Sequence, residues 1–239
     1  ATIIRGVRNS EDFNYEILLS QLNNSQKQGM DTFFLPALKQ YLHISSGAVK
    51  ALQTEQGLIQ EFVPLHIKQR LEEKLSGQYI IGITGEIGSG KSYIAKKLTK
   101  LAESENIPVT RIDMDTIGHE ILGELREAIY VKTRETIIDT FGKEIILKDN
   151  IIDRKALGKI VFNDIEKLQQ LNRIMLRPIL LRLRRKLYHQ KGMILLDSAL
   201  ILEAEMAYLC NNNIILVRVG KDVQQKRLEI IRKSTDLKL

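Results

Sequence analysis

The chain has 239 residues, and 36 Lys and Arg against 29 Asp and Glu leave a formal net charge of +7. Hydrophobic residues at 44% and charged residues at 27% exclude an intrinsically disordered chain and describe a globular one with room for one large domain or two small ones. Its longest apolar stretches, around 79–84 and 193–202, are short or broken by Asp197, so neither spans a bilayer, and the single Cys210 cannot close an internal disulfide.

In chain order, residues 2–5 and 32–35 read as strands with a helical stretch, 12–23, between them. A second helix starts after Ser45-Ser46, whose hydroxyls suit its free N–H groups. Strands alternating with helices indicate parallel pairing in an α/β sheet. Two strands are too few for one, and the chain opens in mid-strand without Met. The expectation is therefore the C-terminal half of a domain. Residues 61–75 read as a helix ending in a charged turn, and the pattern changes at Ser76-Gly77. A boundary there gives domains 1–77 and 78–239. Beyond it, strands are expected at 79–84, 109–113, 193–197 and 214–219, with a long helical region over 122–190. The helix after the first of these strands carries Ile94, Ala95, Leu98 and Leu101 at helical spacing.

The strongest chemical signal is Gly85-Glu86-Ile87-Gly88-Ser89-Gly90-Lys91-Ser92, which fits G-x-x-x-x-G-K-[ST] between an apolar strand and an amphipathic helix. The glycines let backbone N–H groups converge on a phosphate, and the helix directs its positive dipole end at the same anion. Lys91 is expected at the β- and γ-phosphates of ATP and Ser92 at Mg²⁺. Asp197 closes the apolar strand 193–197 and is the candidate acid for the metal shell; an Asp that merely ends a strand has the same pattern. Asp113 and Asp115 stand where the strand 109–113 ends. Taken as two apart on one strand, they share a face and approach a substrate hydroxyl, one of them accepting its proton. The competing reading is a capping pair for the next helix.

Gly85 to Ser92, Asp113-Met114-Asp115-Thr116-Ile117-Gly118-His119, Asp153-Arg154 with Leu157-Gly158, Val161-Phe162, and Asp197-Ser198-Ala199-Leu200-Ile201-Leu202-Glu203 together resemble the dephospho-coenzyme A kinases over about residues 79–232. Ala199 stands where that family usually has Pro, and Arg177-Pro178 where it usually has His-Pro. The resemblance implies a P-loop nucleotide-kinase-like α/β domain that phosphorylates the ribose 3′-hydroxyl of dephospho-coenzyme A with ATP and Mg²⁺. Asp115 would be the base, and Asp113, His119, Arg154, Arg177 and Glu203 would contact substrate. Arg227, Arg232 and Lys233 follow the last expected strand where a lid would start, so Arg227 and Arg232 are candidate ATP clamps; a solvated helix face is the alternative. The family continues past this point with more lid, a further strand and an adenine-contacting loop, so a fragment is expected.

The first part has its own resemblance. Arg5-Gly6-Val7-Arg8, Asp12-Phe13, Tyr15-Glu16, Asn23, and His43-Ile44-Ser45-Ser46 through Val49-Lys50 are similar to the second half of the phosphopantetheine adenylyltransferases. That resemblance implies a partial Rossmann-like nucleotidylyltransferase domain, binding ATP through Arg5, Gly6, Arg8, Tyr15, Glu16, Ser45, Ser46 and Lys50, with 4′-phosphopantetheine as substrate. Thr116-Ile117-Gly118-His119 matches the letters of that family's T/H-x-G-H motif. It lies downstream of the Ile-Ser-Ser segment and continues the kinase-like acid pair, so it reads as a decoy. The order of the two parts resembles the bifunctional coenzyme A synthases.

Other classes are weaker. The basic run Arg182, Arg184, Arg185 and Lys186 lacks interleaved aromatics, there is no Trp, and no nucleic-acid partner is expected. Asp115-Thr116-Ile117-Gly118 fits the D-x-x-G of a GTP-binding switch, but no N-K-x-D occurs. A nucleotide-binding scaffold without turnover is the rival from another class. No signal peptide is visible, a cytoplasmic protein is expected, and a homo-oligomer is compatible with the sequence.

Overall fold

A computed structural model describes residues 2–26, 29–199 and 201–236, with the side chains of 149 and 231–236 outside that description. Contacts divide the chain into two compact units, Ala1–Val49 and Lys50–Leu239. Residues 50–76 thus pack with the second unit. The composition change near Gly77 falls just before that unit's first strand.

In the first unit, strand β1 (Thr2–Val7) pairs in parallel with β2 (Asp31–Pro36), with Thr2 opposite Asp31 and Val7 opposite Pro36. Helix α1 (Ser10–Ser25) connects them, opened by Asn9, whose side chain accepts the Asp12 N–H at 2.8 Å. Phe13 of α1 meets Phe34 of β2 edge to face at 5.4 Å. Yet α1 has no buried residue, and Ile4, Phe33 and Leu35 are each more than 60% exposed. Parallel sheets are ordinarily covered on both faces, so this pair carries an unfinished core.

Helix α2 (Ser46–Thr54) starts where Ser45 Oγ accepts the Ala48 N–H at 3.1 Å. The helix expected over 61–75 begins only at Leu65, as α3 (Leu65–Leu71), because the residue before Pro64 is steered away from helical backbone. A wider π-type turn, Glu72–Ser76, continues it and closes at Gly77, whose φ of +66° only glycine adopts freely.

The second unit's sheet contains β3 (Gln78–Thr84), β4 (Val109–Asp113), β5 (Gly192–Asp197) and β6 (Ile214–Leu216), all parallel, in the order β4-β5-β3-β6. β5 comes late in sequence but lies between the two earliest strands. Their carboxyl ends are therefore level: Ile83 and Asp113 both stand opposite Asp197. The strand expected over 214–219 stops at Leu216. Among the described residues its partner is β3, which ends at Thr84, and one further bond runs from the Val217 N–H to the Thr84 carbonyl.

Helix α4 (Lys91–Ser104) covers one face of the sheet, where Ala95 packs with the fully buried Ile83 and Leu195. The other face carries the larger core. Ile80, Ile112, Ile194 and Leu196 meet α5 (Met114–His119), α6 (Ala128–Phe141), α7 (Arg154–Val161) and α8 (Ile165–Leu187) there. The long helical region is thus several helices. Gly142 ends α6, Asp153 caps α7 and Asp164 caps α8, each a stop or start signal at the sequence level. A last helix, α9 (Lys221–Asp236), follows β6.

Candidate active site

The loop from Gly85 to Gly90 joins β3 to α4 and sits over the carboxyl ends of the strands. Gly85 has φ +145°, and a Cβ there would lie 2.2 Å from the Val217 carbonyl oxygen, so the loop's entry requires glycine. Gly90 opens α4 in left-handed backbone with no side-chain cap, leaving the helix's first N–H groups beside the cleft that Gly90, Lys91 and Ser92 line. Lys91 Nζ donates to the Gly85 carbonyl at 2.6 Å. Ser89 is buried in the loop, and its hydroxyl has no hydrogen-bond partner there.

This cleft, of about 830 Å³, brings together Glu86, Ile87, Gly88, Ser89, Lys91, Ser92, Asp113, Asp115, Asp197 and Arg227. Arg227 of α9 is exposed but donates to the carbonyls of Gly88 and Ser89 at 3.1 and 3.0 Å, which ties it to the loop. The Arg232 side chain lies outside the described residues, as does Leu200 of the acid-led segment.

Asp113 and Asp115 do not share a strand face as the two-residue spacing implies. β4 ends at Asp113, whose carboxylate caps α5 by accepting the Thr116 N–H at 3.0 Å, while Asp115 lies in the first turn of that helix. Capping thus accounts for Asp113, and the helical turn still delivers Asp115 to the same cleft. Neighbouring protein atoms strip part of Asp115's hydration, and this, with the Asp113 charge second, holds its pKa above the usual carboxylate value. A hydrogen bond from the Ala199 N–H and the charge of Lys91 act in the opposite direction. A Pro at position 199 has no N–H to make that bond.

Two residues that bond the loop or its acids escaped sequence reasoning. Arg111 forms an ion pair with Asp197, and its position two residues before Asp113 on β4 was the available signal. Gln224 of α9 donates to the Glu86 carboxylate at 2.6 Å and to the Ile87 carbonyl at 3.0 Å, with no signal short of the fold.

The expected substrate contacts separate. His119 and Arg154 line a second groove of about 1030 Å³, walled by Leu122, Ile151 and Phe162. Glu203 lines a third cleft, behind the loop, with Ala199 and Lys221. Arg177 is exposed on α8 and lines none of these three clefts. The basic face of α8 is committed elsewhere: Arg182 and Lys186 both bind Glu120, at 2.8 and 2.7 Å, Arg185 binds Glu127, and Arg184 donates to the Glu55 carbonyl.

Of the candidate phosphate-binding residues among 1–50, the two arginines are paired with carboxylates of α1. Arg8 grips Asp12 through two bonds of 2.7 and 3.0 Å, holding that carboxyl below its usual pKa, and Arg5 binds Glu16 at 3.2 Å. Tyr15 is exposed, Gly6 has open space where a Cβ would stand, Ser45 and Ser46 open α2, and Lys50 is exposed on it.

Oxygen donors are what Mg²⁺ takes, and Ser92 and Asp197 supply them. Among the described residues no three His, Cys, Asp or Glu side chains stand close enough to hold a metal alone. That fits an ion bound mainly through phosphate oxygens and water, with one or two protein ligands.

A family profile described as dephospho-CoA kinase matches residues 79–236. A protein of that name from Oceanobacillus iheyensis is 37% identical over 153 residues, 62% of this chain and 71% of its own. Another, from Carboxydothermus hydrogenoformans, is 40% identical over 153 residues, 62% of this chain and 68% of its own. A crystal structure from Thermus thermophilus is 25% identical over 63% of this chain and 71% of its own, with a TM-score of 0.47.

Proposed function

Because this chain belongs to the dephospho-CoA kinase family, we propose that its P-loop cleft transfers the terminal phosphoryl group of ATP to the ribose 3′-hydroxyl of dephospho-coenzyme A, the last step of coenzyme A biosynthesis. The observation that carries this reading is the convergence of Lys91, Ser92, Asp115 and Asp197 from three strand ends and their following helices on one cleft.

Lys91 and the loop N–H groups neutralise charge on the β- and γ-phosphates, and Arg227, fastened to the loop, adds a second cation there. Asp115 accepts the proton of the 3′-hydroxyl as its oxygen bonds to the γ-phosphorus and the bond from that phosphorus to the bridging oxygen of ADP breaks. A raised pKa suits this duty, since it makes Asp115 a readier proton acceptor than an ordinary surface carboxylate. Ser92 and Asp197 would hold Mg²⁺, which screens the phosphates when bound. Dephospho-coenzyme A would also engage Asp113, His119, Arg154 and Glu203, with the groove beside His119 and Arg154 accommodating part of it. Arg177, exposed on α8, would need substrate to reach past those clefts.

The GTP-switch reading is not favoured. Asp115 to Gly118 form a helical turn of α5, and Gly118 has ordinary backbone and open space at its Cβ.

For residues 1–77 the proposed reading is the C-terminal part of a phosphopantetheine adenylyltransferase-like domain. In a complete protein it would make dephospho-coenzyme A from 4′-phosphopantetheine and ATP. The uncovered apolar faces of β1 and β2 support it, because they are what part of a larger parallel sheet would expose. No described helix is long and apolar enough to cross a membrane.

A coupled ADP-release assay with dephospho-coenzyme A tests the kinase reading, with Mg²⁺-dependent turnover expected. ATP binding without any ADP release would identify a scaffold instead.

A further inference from the structure

Three carboxylates stand at the level ends of β4 and β5. Asp113 and Asp197 are directly opposite in the parallel register, and Asp115 follows one turn on. Like charges across a ladder repel. Asp197 is also nearly buried, its side chain 8% exposed, where an ionised carboxylate without a counterion is costly. Arg111 supplies the counterion. It stands two residues before Asp113 on β4, diagonally across from Asp197, and its guanidinium reaches the Asp197 carboxylate with only 31% of its own side chain exposed. Lys91, Arg218 and Arg227 line the same cleft, but among the described residues the ion pair of Asp197 is with Arg111, while Lys91 bonds the Gly85 carbonyl and Arg227 the Gly88 and Ser89 carbonyls.

We propose that Arg111 is a positioning residue that stands in for the divalent cation at Asp197, pairing with this carboxylate and holding it in place until Mg²⁺ arrives with the nucleotide. The inference rests on the kinase reading, in which Asp197 belongs to the metal shell. Arg111 and the ion then share one carboxylate and partly oppose each other. Without metal, Arg111 is the cation paired with Asp197 and relieves this acid's share of the repulsion between the acids and the phosphates of ATP. With Mg²⁺ bound, the ion does so and Arg111 matters less. The consequence is a protein whose affinity for ATP depends on Mg²⁺ only moderately.

The test is the dissociation constant of ATP by calorimetry, in EDTA and in excess Mg²⁺, and the ratio of the two. Arg111→Gln is expected to raise that ratio at least tenfold over wild type by weakening metal-free binding, with Mg-ATP affinity changed less than threefold. Arg111→Lys, which keeps the charge, is expected to stay within threefold of the wild-type ratio. An unchanged ratio in Arg111→Gln, or equal weakening in both conditions, overturns the proposal. Should Arg111→Gln not fold, adding Asp197→Asn is expected to restore the fold, since no buried charge is then left unpaired; failure to restore it also overturns the proposal. The wild-type protein separates the two readings. If it binds no ATP in either condition, the kinase reading has failed, whereas normal wild-type binding with an unresponsive Arg111→Gln defeats only the role of Arg111.

Discussion

The two units of this chain use the same alternation of strand and helix, and they differ in what it encloses. Among apolar side chains before residue 50, Val49 is the one described as buried, and α1 buries nothing. In the second unit Ile83, Ile194 and Leu195 are fully buried, with helices on both faces of a four-stranded sheet. The motif residues follow suit. In the first unit Arg5 and Arg8 end in pairs with carboxylates of α1, within a dozen residues of themselves. In the second, side chains from β4, β5, α4, α5 and α9 meet in one cleft. A motif becomes a site when a packed core aims its members at a common point, and the second unit has that core.

The largest effect expected to sharpen this contrast is on turnover. Asp115→Asn should lower kcat by about 10²–10⁴-fold in the ADP-release assay, the usual contribution of a positioned base. Lys91→Ala should cost about 10²–10³-fold, as removal of one charge-stabilising donor does. Arg8→Ala in the first unit should leave kinase turnover within about twofold, consistent with a surface pair worth little. A loss with Arg8→Ala as deep as that of Asp115→Asn would erase the distinction.

Stability provides the next comparison. Ile83→Ala, at a fully buried position of β3, should cost about 2–5 kcal/mol in denaturant unfolding. Ile4→Ala, at a β1 position that is 71% exposed, should change it by less than about 0.5 kcal/mol. Comparable losses at both would show that β1 carries a buried face after all.

Much of this architecture was legible in the sequence because local chemistry dictates it. The loop glycines, the apolar strands and the Asp caps at 153 and 164 are each visible from their own neighbours. The strand 109–113 matches β4 residue for residue, since its end is set by the Asp113 cap. What depends on distant partners was hidden. β6 is short because β3 ends at Thr84 and gives it nothing further to pair with. The Arg111 pair with Asp197 needs β5 to lie beside β4 rather than at an edge. Gln224 reaches the loop only once α9 has folded back over it. Asp113 and Asp115 lie between these cases. Both reach the expected cleft, but through a helix cap and a helical turn, because a two-residue spacing shares a face only while both residues lie on the strand and β4 ends at Asp113.

The smallest expected effect concerns the position of a pH profile rather than its height. If Asp115 is the base, kcat falls on the acid side as Asp115 is protonated, and the limb lies above the ordinary Asp range of about 3.9 because partial burial raises this group. The Asp113 charge raises it further, so Asp113→Asn should move the limb toward acid and preserve activity at lower pH. Asn is the right replacement, since it caps α5 as well as Asp does and leaves the turn carrying Asp115 in place. The same shift has a stability counterpart. A carboxyl raised in the folded state favours folding when protonated, and that contribution is lost as pH rises through its folded pKa. Asp115→Asn should therefore have a higher Tm than wild type at neutral pH, with the difference closing as the pH falls and Asp115 takes up its proton. A limb that stays put in Asp113→Asn, with Tm unaffected by Asp115→Asn at any pH, would mean that Asp115 is solvated like an ordinary surface acid and that the proton goes elsewhere.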